Sequence, residues 1–286
     1  MKVIDVHVHL IPSEMMKEKV GETIFENKAF NLDIYRKVIS SPDELVKIMD
    51  QWGVEKINVM SYSSPYVMGF DDKLIEWVGK YCSSYPDRLM PVMSANPLLD
   101  KKPVEKLEEY RSKYNSSWIK LHPVHQLFKP NAYREEEGKL EALEEIYDYA
   151  QSNGFPITFH TGTSIFPGAR IKYGDPIFLD DVAVDFPRLK IVMAHGGRPF
   201  WMEEAFFLLR RHKNIYLDIA GIPPKKLLEY FPRFREIYDR SLFGSDWISP
   251  GIKSIKDNVD QFMSLQIEDN IKEMVLYKNY FKIVKF

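Results

Sequence analysis

The chain has 286 residues, and its 39 basic and 41 acidic side chains leave a net charge of −2. That length suits one large α/β domain, and the balanced charge argues against a general nucleic-acid binder, which would show a basic excess. Cys82 is the single cysteine, so neither an internal disulfide nor a thiolate metal cluster is available.

The first predicted element is Val3 to Pro12, V-I-D-V-H-V-H-L-I-P. Val3, Ile4, Val6 and Val8 predict a strand that is apolar on both faces, as in a parallel sheet covered on both sides. His7 and His9 stand two apart, and residues i and i+2 of a strand share a face. Both imidazoles therefore converge near the strand's C-terminal end. Two nitrogen donors held that way are half of a divalent metal site. The spacing alone is a weak signal and needs further ligands at other strand ends. No charged leader precedes the strand, and no apolar run approaches the ~20 residues that span a bilayer. A soluble cytoplasmic protein is the expectation.

Leu10 to Ser41 is a long connection with an amphipathic piece from Leu32 to Ile39, and its length marks a lid-like insertion at about residues 10–41. Pro42 then opens a helix, with Ser41 as N-cap and acids in the first turn, and Gly53 ends it. From there strands and helices alternate. The predicted strands are Lys56 to Ser61, Leu89 to Ser94, Trp118 to His122, Phe155 to His160, Leu189 to His195, Ile215 to Ile219 and Leu242 to Asp246. The predicted helices between them are Asp71 to Tyr85, Val104 to Tyr114, Gly138 to Ser152, Pro176 to Phe186, Pro199 to Arg211 and Lys225 to Tyr238. Ile255 to Leu265 and Asp269 to Ile283 are read as the last helices. Strict βα alternation implies a parallel sheet with helices outside. Eight such units favour a (β/α)8 TIM barrel, a single domain over residues 1–286. A doubly wound open sheet is the runner-up. Its phosphate-binding glycine fingerprint is missing after the first strand, where the chain reads H-V-H-L-I-P.

In such a barrel the active site lies at the C-terminal ends of the strands. Strand one gives His7 and His9. Strand four ends I-K-L-H-P, giving Lys120 and His122. Strand five ends at His160, strand six at His195 and strand eight at Asp246. Five of the seven histidines fall at strand ends, and His125 follows three residues after His122. Random placement would scatter them over helix surfaces. Convergent His and Asp donors on one rim point to a metal.

This ordered set resembles the amidohydrolase superfamily of metal-dependent barrels. The phrases D-V-H-V-H-L-I-P, I-K-L-H-P, F-H-T-G, A-H-G-G-R-P-F-W-M-E-E-A, N-I-Y-L-D-I-A-G and F-G-S-D-W look like one branch in particular. That branch includes aminocarboxymuconate-semialdehyde decarboxylase and related lactonases and hydratases. The resemblance covers essentially the whole chain. It implies that His7, His9, His160 and Asp246 bind one divalent ion, most often zinc, with manganese or another divalent ion as alternatives. It makes His195 the nearby acid or base. The donor chemistry agrees, since imidazole and carboxylate suit zinc with an open position for water. Asp246 is then both ligand and proton acceptor.

Lys120 has two readings. In binuclear members a strand-four lysine is carbamylated and bridges two metals; the closer branch implies one metal and an unmodified Lys120 that binds a substrate carboxylate. His122 either contributes to the pocket or caps and packs a loop. Arg198, after Gly196-Gly197, either aims its guanidinium into the mouth or lies on the surface, and Arg170 has the same two readings. Phe166, Trp201 and Trp247 are pocket candidates with packing as the plainer role. Asp218 and His212 read as structural. Asp5 reads as a barrel-interior salt link, with a role behind His7 as the alternative.

The function expected is a metal-dependent hydrolase acting on a lactone or amide of a small carboxylated molecule. A non-oxidative decarboxylase or hydratase of the same fold is the alternative, and release of carbon dioxide separates them. A barrel that merely holds a metal would not need His195 and Asp246 together. A deoxyribonuclease barrel would want an acidic ligand where Lys120 stands. The expected partner is a small-molecule substrate, with no nucleic acid and no membrane, and a homodimer is left open.

Overall fold

The apolar runs become short parallel strands in the computed structural model, which describes residues 1–26, 29 and 31–284. Residues 27, 28 and 30 of the expected insertion lie outside the described residues. Among the described residues the strands are β1 (Val3–His9), β2 (Val54–Met60), β3 (Leu89–Val92), β4 (Ile119–Leu121), β5 (Pro156–His160), β6 (Lys190–Ala194), β7 (Ile215–Asp218) and β8 (Ser241–Leu242). They pair in the orders β1-β2-β3 and β4-β5-β6-β7-β8. Single parallel bridges, Met93 to Ile119 and Val8 to Trp247, join these sheets at both seams. Across them the Lys120 amide donates to the Met93 carbonyl at 2.8 Å, and the Val6 amide to the Phe243 carbonyl at 2.9 Å. The strands thus run in chain order and close on themselves as a (β/α)8 barrel.

The helices up to the fifth strand are α1 (Glu18–Phe25), α2 (Leu32–Ser40), α3 (Pro42–Trp52), α4 (Asp72–Cys82), α5 (Pro103–Tyr114), α6 (Pro123–Gln126) and α7 (Glu141–Asn153). After it come α8 (Phe178–Asp185), α9 (Met202–Arg211), α10 (Leu227–Tyr230), α11 (Ile255–Met263), α12 (Asp269–Glu273) and α13 (Tyr280–Ile283). Local chemistry sets their ends. The Ser41 hydroxyl accepts from the Asp43 amide at 3.2 Å, Pro42 opens α3, and Gly53 closes it at φ +70°. In the insertion, α2 is tied back to the end of β1 by the Tyr35 hydroxyl, which donates to the Ile11 carbonyl at 2.5 Å.

Several predicted spans differ. Lys225 to Tyr238 is not one helix: α10 stops before Pro232, which lacks an N–H and forces Phe231 out of the helical region (φ −125°, ψ 76°). Pro199 to Arg211 becomes helical only at Met202: after the left-handed His195, Gly196 and Gly197, residues 198–200 form a turn, and the Trp201 amide reaches back to the Gly197 carbonyl at 2.9 Å. Asp269 to Ile283 is interrupted by a π turn at Met274–Lys278. There the Asn279 amide reaches back to Met274, and the Val275 carbonyl is left to accept from the Phe243 amide at 3.1 Å. The eighth strand ends at Leu242 rather than at Asp246.

Inside the barrel, Ile4, Val6, Met60, Val92, Trp118, Val192 and Leu242 pack against Tyr280 and Ile283 of α13. Trp118 stacks on Tyr280 at 6.1 Å and donates its indole N–H to Thr158 Oγ1 at 2.7 Å. Thr158→Val keeps the shape and leaves that buried N–H without an acceptor. We expect it to lower unfolding stability by about 1–3 kcal/mol in a denaturant titration. An unchanged midpoint would show that the indole finds another acceptor.

β1 carries an irregularity that matters for the site. Ile4 and Val6 belong to the inner cluster, whereas Val3 and Val8 belong to the outer core. Alternation therefore breaks between Val6 and Val8, where the pairing register with β2 also slips. Asp5 braces this break, since its Oδ1 accepts from the His7 and Ser245 amides, each at 3.0 Å. The expected salt link of Asp5 is not found among the described residues; its carboxylate serves the backbone instead.

Candidate metal centre

All the side chains singled out as ligands, catalytic groups or substrate contacts line one cavity of about 390 Å³ at the C-terminal ends of the strands. They are His7, His9, Lys120, His122, His160, His195, Arg198 and Asp246. The segment between β1 and α2 supplies Ile11 and Ile24 to its wall, and the loop after β5 supplies Thr163 to Phe166. Fixed strand ends thus provide the chemistry, and longer segments provide the walls.

His7, His9 and Asp246 come together most closely. One ligand atom from each lies within 4.8 Å of the others. Asp246 Oδ1 is 3.3 Å from His9 Nε2 and 3.6 Å from His7 Nε2. Asp246 lies beyond β8, in the left-handed region at φ +64°, a conformation that Asp tolerates better than most residues. Its amide donates to the His7 carbonyl at 2.9 Å, which fixes the carboxylate beside the histidines. Gly244 permits that approach: a Cβ there would meet Asp218 Oδ1 at 2.2 Å and His7 Cβ at 2.9 Å.

The tautomer of His7 follows from its partner. Its Nδ1 lies 2.5 Å from Asp218 Oδ2, so Nδ1 carries the proton and Nε2 a lone pair. Burial, helped by the Lys120 charge, pushes the imidazole well below its usual pKa, so it stays neutral. Nε2 is buried and has no hydrogen-bond partner. A bare lone pair beside a second imidazole and a carboxylate is what a divalent ion requires, and the donor set fits one. Burial raises the Asp246 carboxyl, but the contact with the His9 side chain outweighs it and holds the group well below the usual carboxylate range.

Asp218, which the sequence reads as structural, holds the ring of His7, a candidate ligand. It ends β7 in I-Y-L-D, the same strand-end position that marked the other site residues, so the signal was present in the sequence. Burial lifts its carboxyl to about 6, against the pull of His195 and Lys120.

His160 stands beside the trio and not within it. Its Nε2 lies 3.1 Å from the Thr163 carbonyl, and its ring is 4.7 Å from that of His195. His122 stacks on His160 at 4.0 Å and caps α6, its Nδ1 accepting from the His125 amide at 3.3 Å. The two roles expected for His122, pocket wall and cap, are held by one side chain.

His195 donates Nδ1–H to the Ala220 carbonyl at 2.7 Å. A carbonyl only accepts, so Nε2 bears the lone pair. Burial lowers the pKa of this imidazole, which keeps it unprotonated and able to take a proton. Gly221 makes room, since a Cβ there would lie 2.9 Å from His195 Nδ1. Lys120 is buried on β4, and burial lowers its pKa to about 8 while Asp218 and Asp246 oppose that shift. Arg198 is anchored at the mouth, donating Nη1–H to the Gly221 carbonyl.

Other candidates divide clearly. Phe166 lines the cavity, whereas Trp247 packs edge-on against Trp52 at 5.5 Å and Trp201 against Phe200 at 5.7 Å. Arg170 turns its guanidinium to the Gly168 carbonyl at 3.0 Å. His212 pairs with Asp180 at 2.5 Å, a structural role. Tyr62 and Ser164 were not anticipated: both line the cavity, and both bond His125. Single hydroxyls carry no distinctive spacing, so the sequence offered no signal for them.

The family described as Amidohydrolase matches residues 4–283. The chain belongs to the amidohydrolase family. No curated protein sequence matches it. Among solved structures, this amidohydrolase resembles a TIM-barrel protein from Bordetella bronchiseptica at 21% identity, with a TM-score of 0.74 and coverage of 99% of this chain and 98% of the other. It also resembles 2,6-dihydroxybenzoate decarboxylase from Rhizobium at 17% identity and a TM-score of 0.62, covering 99% and 97% of the two chains. A third is the probable 2-pyrone-4,6-dicarboxylic acid hydrolase of Acinetobacter baumannii, at 14% identity, a TM-score of 0.66 and 99% coverage of both chains. At these identities the likeness establishes the shared fold. Members of the superfamily are enzymes and usually bind a divalent metal, and His7, His9 and Asp246 form a cluster that could hold one. Among the described residues, no helix is long and apolar enough to cross a membrane.

Proposed function

We propose that this amidohydrolase is a metal-dependent hydrolase of a small carboxylated molecule. The observation that carries this reading is the bare, buried Nε2 of His7 set beside His9 and Asp246, with the lone pair of His195 nearby. His7, His9 and Asp246 would hold the ion, with zinc the best match to their donors; His160, the fourth ligand that the resemblance implies, would have to turn from the Thr163 carbonyl to join them. When bound, the ion supplies Lewis acidity toward an oxygen of substrate or water. Everything else is done by the chain. Asp218 holds His7 in the ligating tautomer. His195 Nε2 takes a proton from the attacking group and returns it to the leaving group. Lys120 and Arg198 place positive charge on the cavity wall, where a carboxylate of the substrate would be held. The apolar wall from Ile11, Ile24 and Phe166 excludes water from the remainder.

The likeness to 2,6-dihydroxybenzoate decarboxylase favours a second reading, loss of carbon dioxide from the same bound carboxylate, with the proton going to carbon. Protein purified without chelator should carry about one ion per chain by elemental analysis. Chelation should abolish activity and added zinc or manganese restore it. A preparation with no ion and no response to either would end the metal-dependent reading. About two ions per chain would move Lys120 into a bridging role. Isotopic carbon dioxide release from a carboxyl-labelled substrate separates decarboxylation from hydrolysis.

A further inference from the structure

Three cavity side chains have no part in the reading above. Tyr62 follows β2, His125 lies on α6, and Ser164 lies in the loop after β5. The Tyr62 hydroxyl is 2.8 Å from His125 Nδ1, and the Ser164 hydroxyl is 2.7 Å from His125 Nε2. Both nitrogens of one imidazole are therefore engaged by hydroxyls. The backbone of His125 is also pinned, since the Ser64 hydroxyl donates to its carbonyl at 2.9 Å. The Tyr62 ring meets that of His9 edge-on at 6.4 Å, so this group borders the metal ligands.

The protons can be counted. The His125 imidazole is buried, and its ring nitrogens face the two hydroxyls rather than a carboxylate, so it is counted as neutral with one N–H. Tyr62 and Ser164 each bring one O–H. Two hydrogen bonds use two of these three protons, and one hydroxyl proton is left over. Chemistry selects which. A phenol is more acidic than an aliphatic alcohol and is the better donor; the alcohol oxygen is the better acceptor. Tyr62 O–H then donates to Nδ1, and Nε2–H donates to Ser164 Oγ. The Phe166 amide also donates to that oxygen, at 3.3 Å. Ser164 is left accepting twice, with its own proton uncommitted on the cavity wall.

We propose that the Ser164 hydroxyl is a substrate-binding hydrogen-bond donor for a carboxylate oxygen, and that His125 and Tyr62 are positioning residues that hold it in that role. The proposal rests on the reading of a small carboxylated substrate. Lys120 and Arg198 attract an anion from several directions, whereas a directed O–H fixes how it is turned. Were the His125 tautomer reversed, the free donor would be Tyr62 and the anion would be drawn to another part of the wall.

The test uses the full-length chain loaded with zinc, with benzoate as the carboxylate probe. Two-bond proton–nitrogen spectra of protein labelled with 15N-histidine report which ring nitrogen of His125 is protonated, and His125→Gln assigns the signal. Nε2 should carry the proton. Ser164→Ala should weaken benzoate binding roughly 10- to 100-fold, as for a lost hydrogen bond to a charged group, with zinc content unchanged. Tyr62→Phe should let His125 populate both tautomers and weaken benzoate by a smaller factor. Protonation at Nδ1 in the unsubstituted protein would overturn the assignment, as would benzoate binding equally well to Ser164→Ala. An unsubstituted protein that does not bind benzoate would defeat the carboxylated-substrate reading itself, and this donor role with it.

Discussion

His195→Asn is expected to lower turnover by roughly 10²–10⁴-fold while leaving the metal in place. The geometry gives the reason. His195 uses Nδ1–H to hold the Ala220 carbonyl at 2.7 Å, and an asparagine amide N–H can occupy that position. What asparagine lacks is the basic lone pair at Nε2. The substitution therefore removes a proton acceptor and keeps the packing. Metal content and rate should be measured on the same preparations. If the ion is lost in proportion to activity, His195 is a ligand and the one-metal arrangement is wrong. If metal and rate both persist, His195 is only a wall of the pocket.

Substitutions at His7 should act on the metal itself. His7→Ala removes the buried Nε2 and with it one of the donors; metal and activity should both fall below detection. Asp218→Asn is the more discriminating variant. It keeps every ligand and weakens the acceptor that holds His7 Nδ1–H, 2.5 Å away. Loss of such an orienting partner typically costs about 10- to 100-fold in metal affinity. Competition against a chromophoric chelator would measure it, with circular dichroism to check the fold. Metal affinity unchanged in Asp218→Asn would return Asp218 to the structural role first expected of it.

The amino-acid sequence was sufficient to determine the barrel and the rim. Alternating buried strands and amphipathic helices are local patterns, and local patterns survive in a linear string. The strand-end histidines were legible for the same reason: a (β/α)8 barrel brings all strand ends to one face, so position along the chain predicts convergence. His7, His9, Lys120, His122, His160, His195, Arg198 and Asp246 do line one cavity. The chain alone could not decide how they divide within it. His7, His9 and Asp246 gather within 4.8 Å, while His160 faces the Thr163 carbonyl. Asp218 and Asp5 have the same residue type, yet one holds the imidazole of His7 and the other braces a strand irregularity. Which ring nitrogen keeps a lone pair depends on an acceptor 25 residues away for His195 and 211 away for His7. Such contacts are fixed by closure of the barrel and by the paths of its loops, and neither leaves a periodic trace in the sequence.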